Sequence, residues 1–329
     1  MQALATSIVL FSVLIPSKMW YAPNQPLTIT VATEGTATLV LTDFTGRVPM
    51  EIEKSSPDQA PVRREIQGGQ QADVRALFPA SMRTPGTYVL FAVKNNDLSH
   101  FLGTPLVIEV RADNRPGADP GPMVYKVSPL RYALLETEHG RMTLAFFYDV
   151  APNTVSSFLH LAEGGFFDGL TFHRIVPGFV IQGGDPRGNG TGGPAYRVEA
   201  EFSDRKHEEG VLSMARNGDP LEMQGLKPRY EYANSAGSQF FICLGRTEHL
   251  DGRYTAFGKV VDGLDAVRAI AKTPIADAKT GRPEKSPVIK KIEVRLVTAK
   301  ENPYPAIMTN WKMATTPDTQ PALGPTSAQ

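Results

Sequence analysis

The sequence predicts a mainly β protein with a β-sandwich domain followed by a closed antiparallel barrel with helical caps. The chain has 329 residues, a length typical of about two domains. Glycine and proline are frequent, at 29 and 27 residues, which favours many turns and short strands over long helices. A segment rich in proline, glycine and aspartate separates two halves whose apolar patterns differ.

Residues 1–112 contain short alternating runs that are typical of half-buried strands. In PLTITVAT the apolar Leu27, Ile29 and Val31 alternate with threonines, and TPGTYVLFAVKNND and TPLVIEVRAD each begin after a Thr-Pro turn signal. Runs at this spacing predict a β-sandwich of about seven strands with an immunoglobulin-like architecture. No catalytic constellation is visible in this half, so we expect a spacer or a binding module.

The apolar run from Ile8 to Ile15 allows two interpretations. A signal peptide within residues 1–22 would have its apolar stretch but would lack a basic start and a convincing A-x-A cleavage site. A first β-strand explains the run as well. The run is too short to span a bilayer as a helix, so we expect no stable membrane span. The single cysteine, Cys243, does not identify the compartment, which stays open between cytoplasmic and extracytoplasmic.

Composition predicts three further boundaries. Residues 113–124 form a linker, because ADNRPGADPGP is dense in turn-forming residues. Residues 125–299 form the second domain. Residues 300–329 form a tail without apolar periodicity, which we expect to be disordered.

The second domain combines many short strands with two helices. Helical spacing is shown by Val155, Phe158, Leu159 and Ala162 in APNTVSSFLHLAEGG, and by Leu264, Val267 and Ile270 in GLDAVRAIAKT. Strands are indicated by YALLETEHGRMTLAFF, LTFHRIV, FVIQGG, GVLSMAR, SQFFICLG, AFGKVV and KKIEVRLV. This content predicts a closed antiparallel barrel capped by the two helices.

Charge and motif spacing argue against several classes of function. Lys+Arg and Asp+Glu are 34 each, which argues against a whole-chain nucleic-acid binder. Gly188, Gly190 and Gly193 match the dinucleotide fingerprint formally, but Pro194 follows them where a helix is needed. The six histidines form no i, i+4 pair, so we expect no metal and no cofactor. Ser213 lacks the surroundings of a nucleophile elbow.

One arginine in an apolar run, FHRIVPGFVIQGGD, remains as the candidate for chemistry. With the other motifs set aside, the candidate site residues are Arg174, Phe179, Gln182, Gln239, Phe241 and Leu250. Strand alternation places Phe179 and Gln182 on opposite faces, so they can line one site only if the chain bends near Gly178. By composition alone, the set could also be a barrel core with one arginine reaching solvent.

Separate motifs in the second domain resemble those of the cyclophilins, the cyclophilin-type peptidyl-prolyl cis-trans isomerases. They are FHRIVPGFVIQGGDPRGNGTGGP, GVLSMAR, NSAGSQFFICLG and HLDGRYTAFGKVVDGLDAV. The resemblance covers about residues 130–298 in the family's order and spacing, and excludes the N-terminal domain and the tail. It implies an eight-stranded antiparallel barrel capped by two helices, acting on proline-containing polypeptides. The balanced charge gives the further expectation of no nucleic acid as partner.

The resemblance also implies roles for individual residues. The catalytic set would be Arg174, Phe179 and Gln182. The substrate-binding set would be Val180, Ala215, Arg216, Gln239, Phe241, His249, Leu250 and Tyr254. Three positions depart from common family members: Val180 replaces Met, Tyr254 replaces His, and His249 stands where the members most sensitive to cyclosporin carry Trp.

Residues 217–237, NGDPLEMQGLKPRYEYANSAG, are longer than the family's usual connection and are called the insertion below. They can be a solvated loop or a gate beside the peptide groove. The function implied is isomerisation of X-Pro bonds, whose barrier of ~18–20 kcal/mol comes from partial double-bond character. No bond breaks in that reaction, so one arginine stabilising the twisted amide could suffice. The alternative is a proline-peptide binding or chaperone module that needs little turnover.

Overall fold

The computed structural model describes residues 13–23, 25–46, 64–94, 100–112 and 123–304. Contacts divide the chain into two compact units, with the division between Ser128 and Pro129 and with Tyr304 counted in the first unit. This division lies beyond the predicted domain start at 125, because the strand that begins at Met123 pairs within the first unit. Most of the predicted linker and tail, 113–122 and 305–329, lies outside the described residues.

The described part of the first unit contains nine strands, one short helix and a 3-10 turn. The strands are β1 (Leu14–Pro16), β2 (Trp20–Tyr21), β3 (Thr28–Val31), β4 (Thr36–Asp43), β5 (Arg64–Gln67), β6 (Gln71–Asp73), β7 (Gly86–Val93), β8 (Leu106–Ala112) and β9 (Met123–Pro129). The helix α1 spans Val74–Leu77 and the 3-10 turn spans Ser81–Arg83. One sheet has the order β1-β3-β6, and the other has the order β2-β9-β8-β7-β4-β5.

Both sheets of the first unit contribute to one hydrophobic core. The three-stranded sheet contributes Leu14 and Val31 to this core, and the six-stranded sheet contributes Leu41, Leu90 and Ile108. Each of these five side chains is at most 1% exposed. Two sheets around one core agree with a β-sandwich, whereas the immunoglobulin-like architecture stays a prediction. The end of the N-terminal apolar run is the short strand β1, and the start of that run lies outside the described residues.

The second unit is built on an eight-stranded antiparallel sheet. Its strands are β10 (Arg131–Thr137), β11 (Gly140–Phe146), β12 (Arg174–Val176), β13 (Val180–Gly183), β14 (Val211–Met214), β15 (Phe240–Cys243), β16 (Ala256–Asp262) and β19 (Ile289–Leu296). Their order is β12-β13-β15-β14-β16-β11-β10-β19. A separate hairpin pairs β17 (Ile275–Asp277) with β18 (Arg282–Pro283).

Hydrogen bonds beside the two edge strands close this sheet into a barrel. Thr171, before β12, forms an antiparallel bridge with Val288, before β19. Phe172 N donates to the carbonyl of Pro287 at 2.9 Å. The predicted eight-stranded antiparallel barrel is confirmed.

Two helices cap the barrel, as predicted. They are α2 (Pro152–Glu163) and α4 (Leu264–Ala271). The insertion contains a 3-10 turn at Pro220–Gln224 and a single helical turn, α3 (Tyr230–Ala233). Another 3-10 turn spans Glu248–Leu250. Phe158 of α2 packs in the core with its ring centroid 4.9 Å from Phe167 and 5.2 Å from Phe257. Such aromatic packing contributes about 0.5–1.5 kcal/mol per pair beyond area burial.

None of the helices in the described part of the chain combines the length and the apolar character needed to cross a bilayer.

Candidate active site

The candidate site lies on one face of the sheet formed by β12, β13, β15 and β14. Arg174 is the cross-strand partner of Gln182, Gln182 is the partner of Phe241, and Phe241 is the partner of Ser213. Cross-strand partners share a face, so the register brings these side chains into one row. The neighbouring Phe240 faces the other way, because its ring packs 5.5 Å from Phe158 in the core.

An apolar cluster lies on this face and contains residues that the resemblance implies for a proline pocket. The cluster is called the pocket below. Its buried members are Val180, Val211, Phe241, Cys243, Leu250 and Ala256, with Phe147, Phe179, Ala215 and Tyr254 partly buried against them. The ring of Tyr254 meets Phe241 edge-on with centroids 5.9 Å apart. Burial raises the pKa of Cys243 to about 11, so this thiol is a neutral part of the pocket lining at pH 7.

The bend predicted near Gly178 is present and resolves the strand-alternation problem. Gly178 has φ 74°, a conformation that residues with a Cβ adopt at a cost. Phe179 N donates to the carbonyl of Val176 at 3.0 Å, and β13 begins only at Val180. Phe179 therefore leaves the strand alternation and packs against the same cluster as Val180.

His249 lies at the exposed edge of this pocket. Its imidazole stacks on the ring of Phe179, with centroids 5.4 Å apart and planes 26° from parallel. Leu250, the next residue, is 4% exposed and points into the cluster. The 3-10 turn Glu248–Leu250 thus contributes one apolar side chain to the pocket and one polar ring to its rim.

Arg174 is a half-buried cation beside this pocket. Its Nη1 donates to Oε1 of Gln182 at 3.2 Å. Burial lowers the pKa of Arg174 and the nearby Tyr254 opposes this shift, yet a guanidinium stays charged at neutral pH. Among the described residues, no carboxylate pairs with Arg174, so most of its N–H groups are available to a ligand.

Two glutamine side chains hold Arg174 through a chain of hydrogen bonds. Gln239 Nε2 donates to the carbonyls of Gly190 at 3.0 Å and Gly192 at 2.8 Å. Its Oε1 therefore faces Gln182, whose Nε2 donates to it at 3.1 Å. The amide of Gln182 must then present its oxygen to Arg174, so the two carbonyls set the orientation of both amides.

The glycine-rich stretch that matches a dinucleotide fingerprint is a loop folded around Asp185. The Asp185 carboxylate accepts hydrogen bonds from the backbone N–H groups of Arg187 at 2.8 Å, Asn189 at 3.0 Å and Gly190 at 2.5 Å. Burial opposes ionisation of Asp185, but these N–H groups outweigh it and lower the carboxyl pKa. A Cβ at position 192 would lie 1.9 Å from Oδ1 of Asp185, so only glycine fits there.

Arg216 differs from Arg174 in that its hydrogen-bonding capacity is filled internally. Its side chain is 2% exposed. Its N–H groups donate to the carbonyls of Arg253 and Asn217 and to both carboxylate oxygens of Glu222. The guanidinium carbon lies 4.2 Å from the centroid of the Tyr254 ring. The side chain of Arg216 therefore packs on Tyr254 with its donors used by groups of the protein itself.

Beneath the pocket, three polar side chains form a buried network. His207 Nδ1 lies 3.0 Å from Oδ1 of Asp251, and His207 Nε2 lies 3.0 Å from the hydroxyl of Ser213. Both His207 and Ser213 are 0% exposed, so the hydroxyl cannot meet a substrate as a nucleophile. The imidazole stacks near Phe241, with centroids 6.3 Å apart, which makes the network a support for the pocket floor.

Several residues of this site were not found by sequence reasoning. They act through tertiary hydrogen bonds: Glu222 bonds Arg216, Asp251 bonds His207, and Asp185 bonds Gly190 in the loop that holds Gln239. Asp185 and Asp251 each lie within one of the family motifs, and the position of Asp185 directly after a strand and before a run of glycines was a further signal. Glu222 carried no comparable signal.

Comparison with known proteins identifies the class. The family model described as "Cyclophilin type peptidyl-prolyl cis-trans isomerase/CLD" matches residues 132–294. A peptidyl-prolyl cis-trans isomerase of Synechococcus elongatus is 48% identical over 140 residues, which are 42% of this chain and 87% of that relative. Peptidyl-prolyl cis-trans isomerase B of Bacillus subtilis is 45% identical over 136 residues, 41% of this chain and 85% of that relative.

A solved structure is also similar. It is the crystal structure of a cyclophilin type peptidyl-prolyl cis-trans isomerase of Cryptosporidium parvum in the presence of the dipeptide Ala-Pro, with a TM-score of 0.44 and 29% identity. The match covers 50% of this chain and 99% of that chain.

The barrel and the sequence matches together define an isomerase domain. The chain belongs to the cyclophilin-type peptidyl-prolyl cis-trans isomerase family.

Proposed function

We propose that the domain isomerises X-Pro bonds in proline-containing polypeptides, with Arg174 as the catalytic residue that stabilises the twisted amide. The observation that carries this proposal is the half-buried Arg174, which lies beside the apolar pocket and has no acidic partner among the described residues. A cation with available donors suits a reaction in which a localised nitrogen lone pair appears only transiently.

The chemistry of rotation explains why such a donor helps. In the planar amide, the nitrogen lone pair is delocalised into the carbonyl and accepts hydrogen bonds poorly. At the twisted transition state, resonance is lost and the nitrogen carries a localised lone pair. Arg174 can donate to that nitrogen or hold the prolyl carbonyl, and its partly desolvated setting strengthens either interaction.

The pocket has a different role in this proposal. Phe179, Val180, Phe241 and Leu250 grip the pyrrolidine ring while the peptide on its N-terminal side rotates. A grip of equal strength on cis and trans proline would not by itself raise turnover. Gln182 holds the guanidinium in position beside the pocket, because its oxygen accepts a hydrogen bond from Nη1 of Arg174.

The experiment is steady-state isomerisation of a proline tetrapeptide by the full chain. Arg174→Ala should lower kcat/KM by roughly 10²–10³-fold, the scale of losing one preorganised donor. Arg174→Lys should recover only part of it, because an ammonium lacks the planar fork of donors. Arg141→Ala, which removes an exposed arginine from β11, is the matched control and should keep wild-type activity.

Two results would contradict the proposal. One is a folded Arg174→Ala variant with near wild-type kcat/KM. The other is a wild-type chain that binds the tetrapeptide, measured by titration, without accelerating its isomerisation. The second result would favour the binding-module alternative.

A further inference from the structure

Arg216 is a buried cation, and among the described residues its acidic partner is Glu222 of the insertion. Glu222 accepts from Arg216 Nη2 at 2.6 Å and from Nη1 at 3.0 Å, which is a bidentate pair. The other donors of Arg216 are taken by the carbonyls of Arg253 and Asn217. A buried guanidinium without a compensating charge is costly, so Glu222 stabilises the buried position of Arg216.

Glu222 itself is held by a folded support. It forms a capping box with Asp219 at the start of the 3-10 turn, where its Oε2 accepts from the backbone N–H of Asp219 at 3.1 Å. Asp219 is 3% exposed and accepts from Nε of Arg229 at 2.9 Å. These contacts exclude a wholly solvated loop at Asp219 and Glu222.

The insertion is also tied to the segment that carries Tyr254. Arg253 donates to the carbonyls of Leu226 at 2.8 Å and Gly225 at 2.9 Å. Arg216 then covers the ring of Tyr254, with its guanidinium carbon 4.2 Å from the ring centroid. The contacts connect the insertion to a pocket wall, because Tyr254 packs against Phe241.

We propose that Glu222 is a positioning residue for this site: it keeps Arg216 stacked on Tyr254 and thereby holds the Tyr254 wall of the proline pocket in place for substrate binding. This inference rests on the proposed function, since it requires that the pocket bind the substrate proline. It assigns to the insertion a role in substrate affinity.

The acid–base state of the pair agrees with this role. The hydrogen bonds from Arg216 outweigh burial and lower the pKa of Glu222 below its ordinary value. The carboxylate is therefore ionised at neutral pH, and its pairing with Arg216 is intact under assay conditions.

The test compares two carboxylates of the same insertion in the full chain. Glu222→Gln should raise the KM for a proline tetrapeptide roughly tenfold while changing kcat by less than about threefold, the scale of losing a charge-assisted hydrogen bond at a binding wall. The matched control is Glu231→Gln, which removes the same charge from an exposed ion pair with Arg229 at 3.6 Å. It should leave both constants unchanged, because exposed pairs contribute little.

A double-mutant cycle with Tyr254 separates positioning from a general structural role. If Glu222 acts through Tyr254, Glu222→Gln in a Tyr254→Ala background should change KM by less than about twofold. An equal change in KM in both backgrounds would overturn the proposal, as would a folded Glu222→Gln variant with wild-type KM.

A second variant keeps the proposal testable if Glu222→Gln does not fold. Replacing the pair together, with Arg216→Leu and Glu222→Leu, removes the buried guanidinium and its carboxylate partner and should fold, because apolar replacements of largely buried pairs are tolerated. The proposal expects a raised KM in this variant, since the cation on Tyr254 is gone, and a wild-type KM would contradict it. Failure of the proposed function is distinguishable, because it would appear as unchanged activity in Arg174→Ala.

Discussion

Arg174 and Gln182 are Cα partners across β12 and β13, and Nη1 of the arginine donates to Oε1 of the glutamine at 3.2 Å. Gln182 presents its oxygen to Arg174 because its amide nitrogen donates to Gln239. Gln239 in turn donates to two backbone carbonyls. The direction of the candidate catalytic arginine thus depends on the loop that carries Gly190 and Gly192, which holds it through the two glutamines.

This chain of amides predicts that Gln239→Leu lowers activity. Without Gln239, the amide of Gln182 is free to rotate and to present its nitrogen to Arg174. The guanidinium is then no longer held in one orientation. We expect kcat/KM for a proline tetrapeptide to fall roughly tenfold, the scale of one hydrogen bond to a charged group. Gln182→Leu should have a similar effect, and the double variant should lose little more than either single variant.

The control for that series is Gln224→Leu, an exposed glutamine in the insertion. It should leave kcat/KM unchanged. Additive losses in the Gln182 and Gln239 double variant would show that the two amides act independently and would contradict the relay.

The stacked pair of His249 and Phe179 predicts weak inhibition by cyclosporin. The resemblance implies that His249 stands where the most sensitive family members carry Trp, whose indole offers more surface and an N–H donor. His249→Trp should tighten inhibition by about 1–2 kcal/mol, the scale of one aromatic contact with a hydrogen bond. The inhibition constant of the full chain measures this, and equal constants for the two forms would refute it.

The buried His207 predicts a loss of stability on mild acidification. Burial lowers its pKa, and the hydrogen bond that His207 donates to Asp251 opposes this shift only in part, so the folded chain binds this proton less readily than the unfolded chain. Stability contributed by neutral His207 is therefore present above the unfolded pKa of about 6.5 and is lost as the pH falls below it. Burial lowers the pKa of His173 too, which adds a contribution of the same sign.

Calorimetric melting between about pH 7.5 and about pH 5 tests this linkage. The wild-type Tm should fall with pH, and His207→Asn should show a flatter dependence even if its Tm is lower throughout. His160→Asn, which changes an exposed histidine on α2, should keep the wild-type slope. A His207→Asn variant with an unchanged slope would mean that other groups carry the dependence.

Replacement of residues 219–233 by a short glycine-containing link is expected to leave the barrel folded. No barrel strand lies in this range, but the replacement removes Glu222 and leaves Arg216 without its compensating carboxylate. We expect altered preference for the residue before proline and a higher KM, with kcat changed little. Circular dichroism and steady-state assays of a tetrapeptide series measure this, and an unfolded domain would show instead that the insertion is needed for folding.

The barrel could be predicted from the sequence because its determinants are local and periodic. Alternating apolar residues, helical spacing in Val155–Ala162 and turn residues such as Gly178 act over a few positions, so they are visible in one dimension. The family motifs added the candidate pocket, since Phe179, Val180, Phe241 and Leu250 lie within or beside them. The structure brings these four side chains into one cluster.

The sequence by itself therefore determined the fold class, the family and the residues of the candidate pocket. Only the tertiary structure decided which of two arginines is available to a ligand: Arg174 keeps donors unused by the described residues, whereas Arg216 is neutralised by Glu222. It also decided that a glycine-rich stretch is a loop around Asp185. The physical reason is that the hydrogen bonds of a polar group depend on which other groups lie next to it in the folded chain. Composition and periodicity do not contain that information.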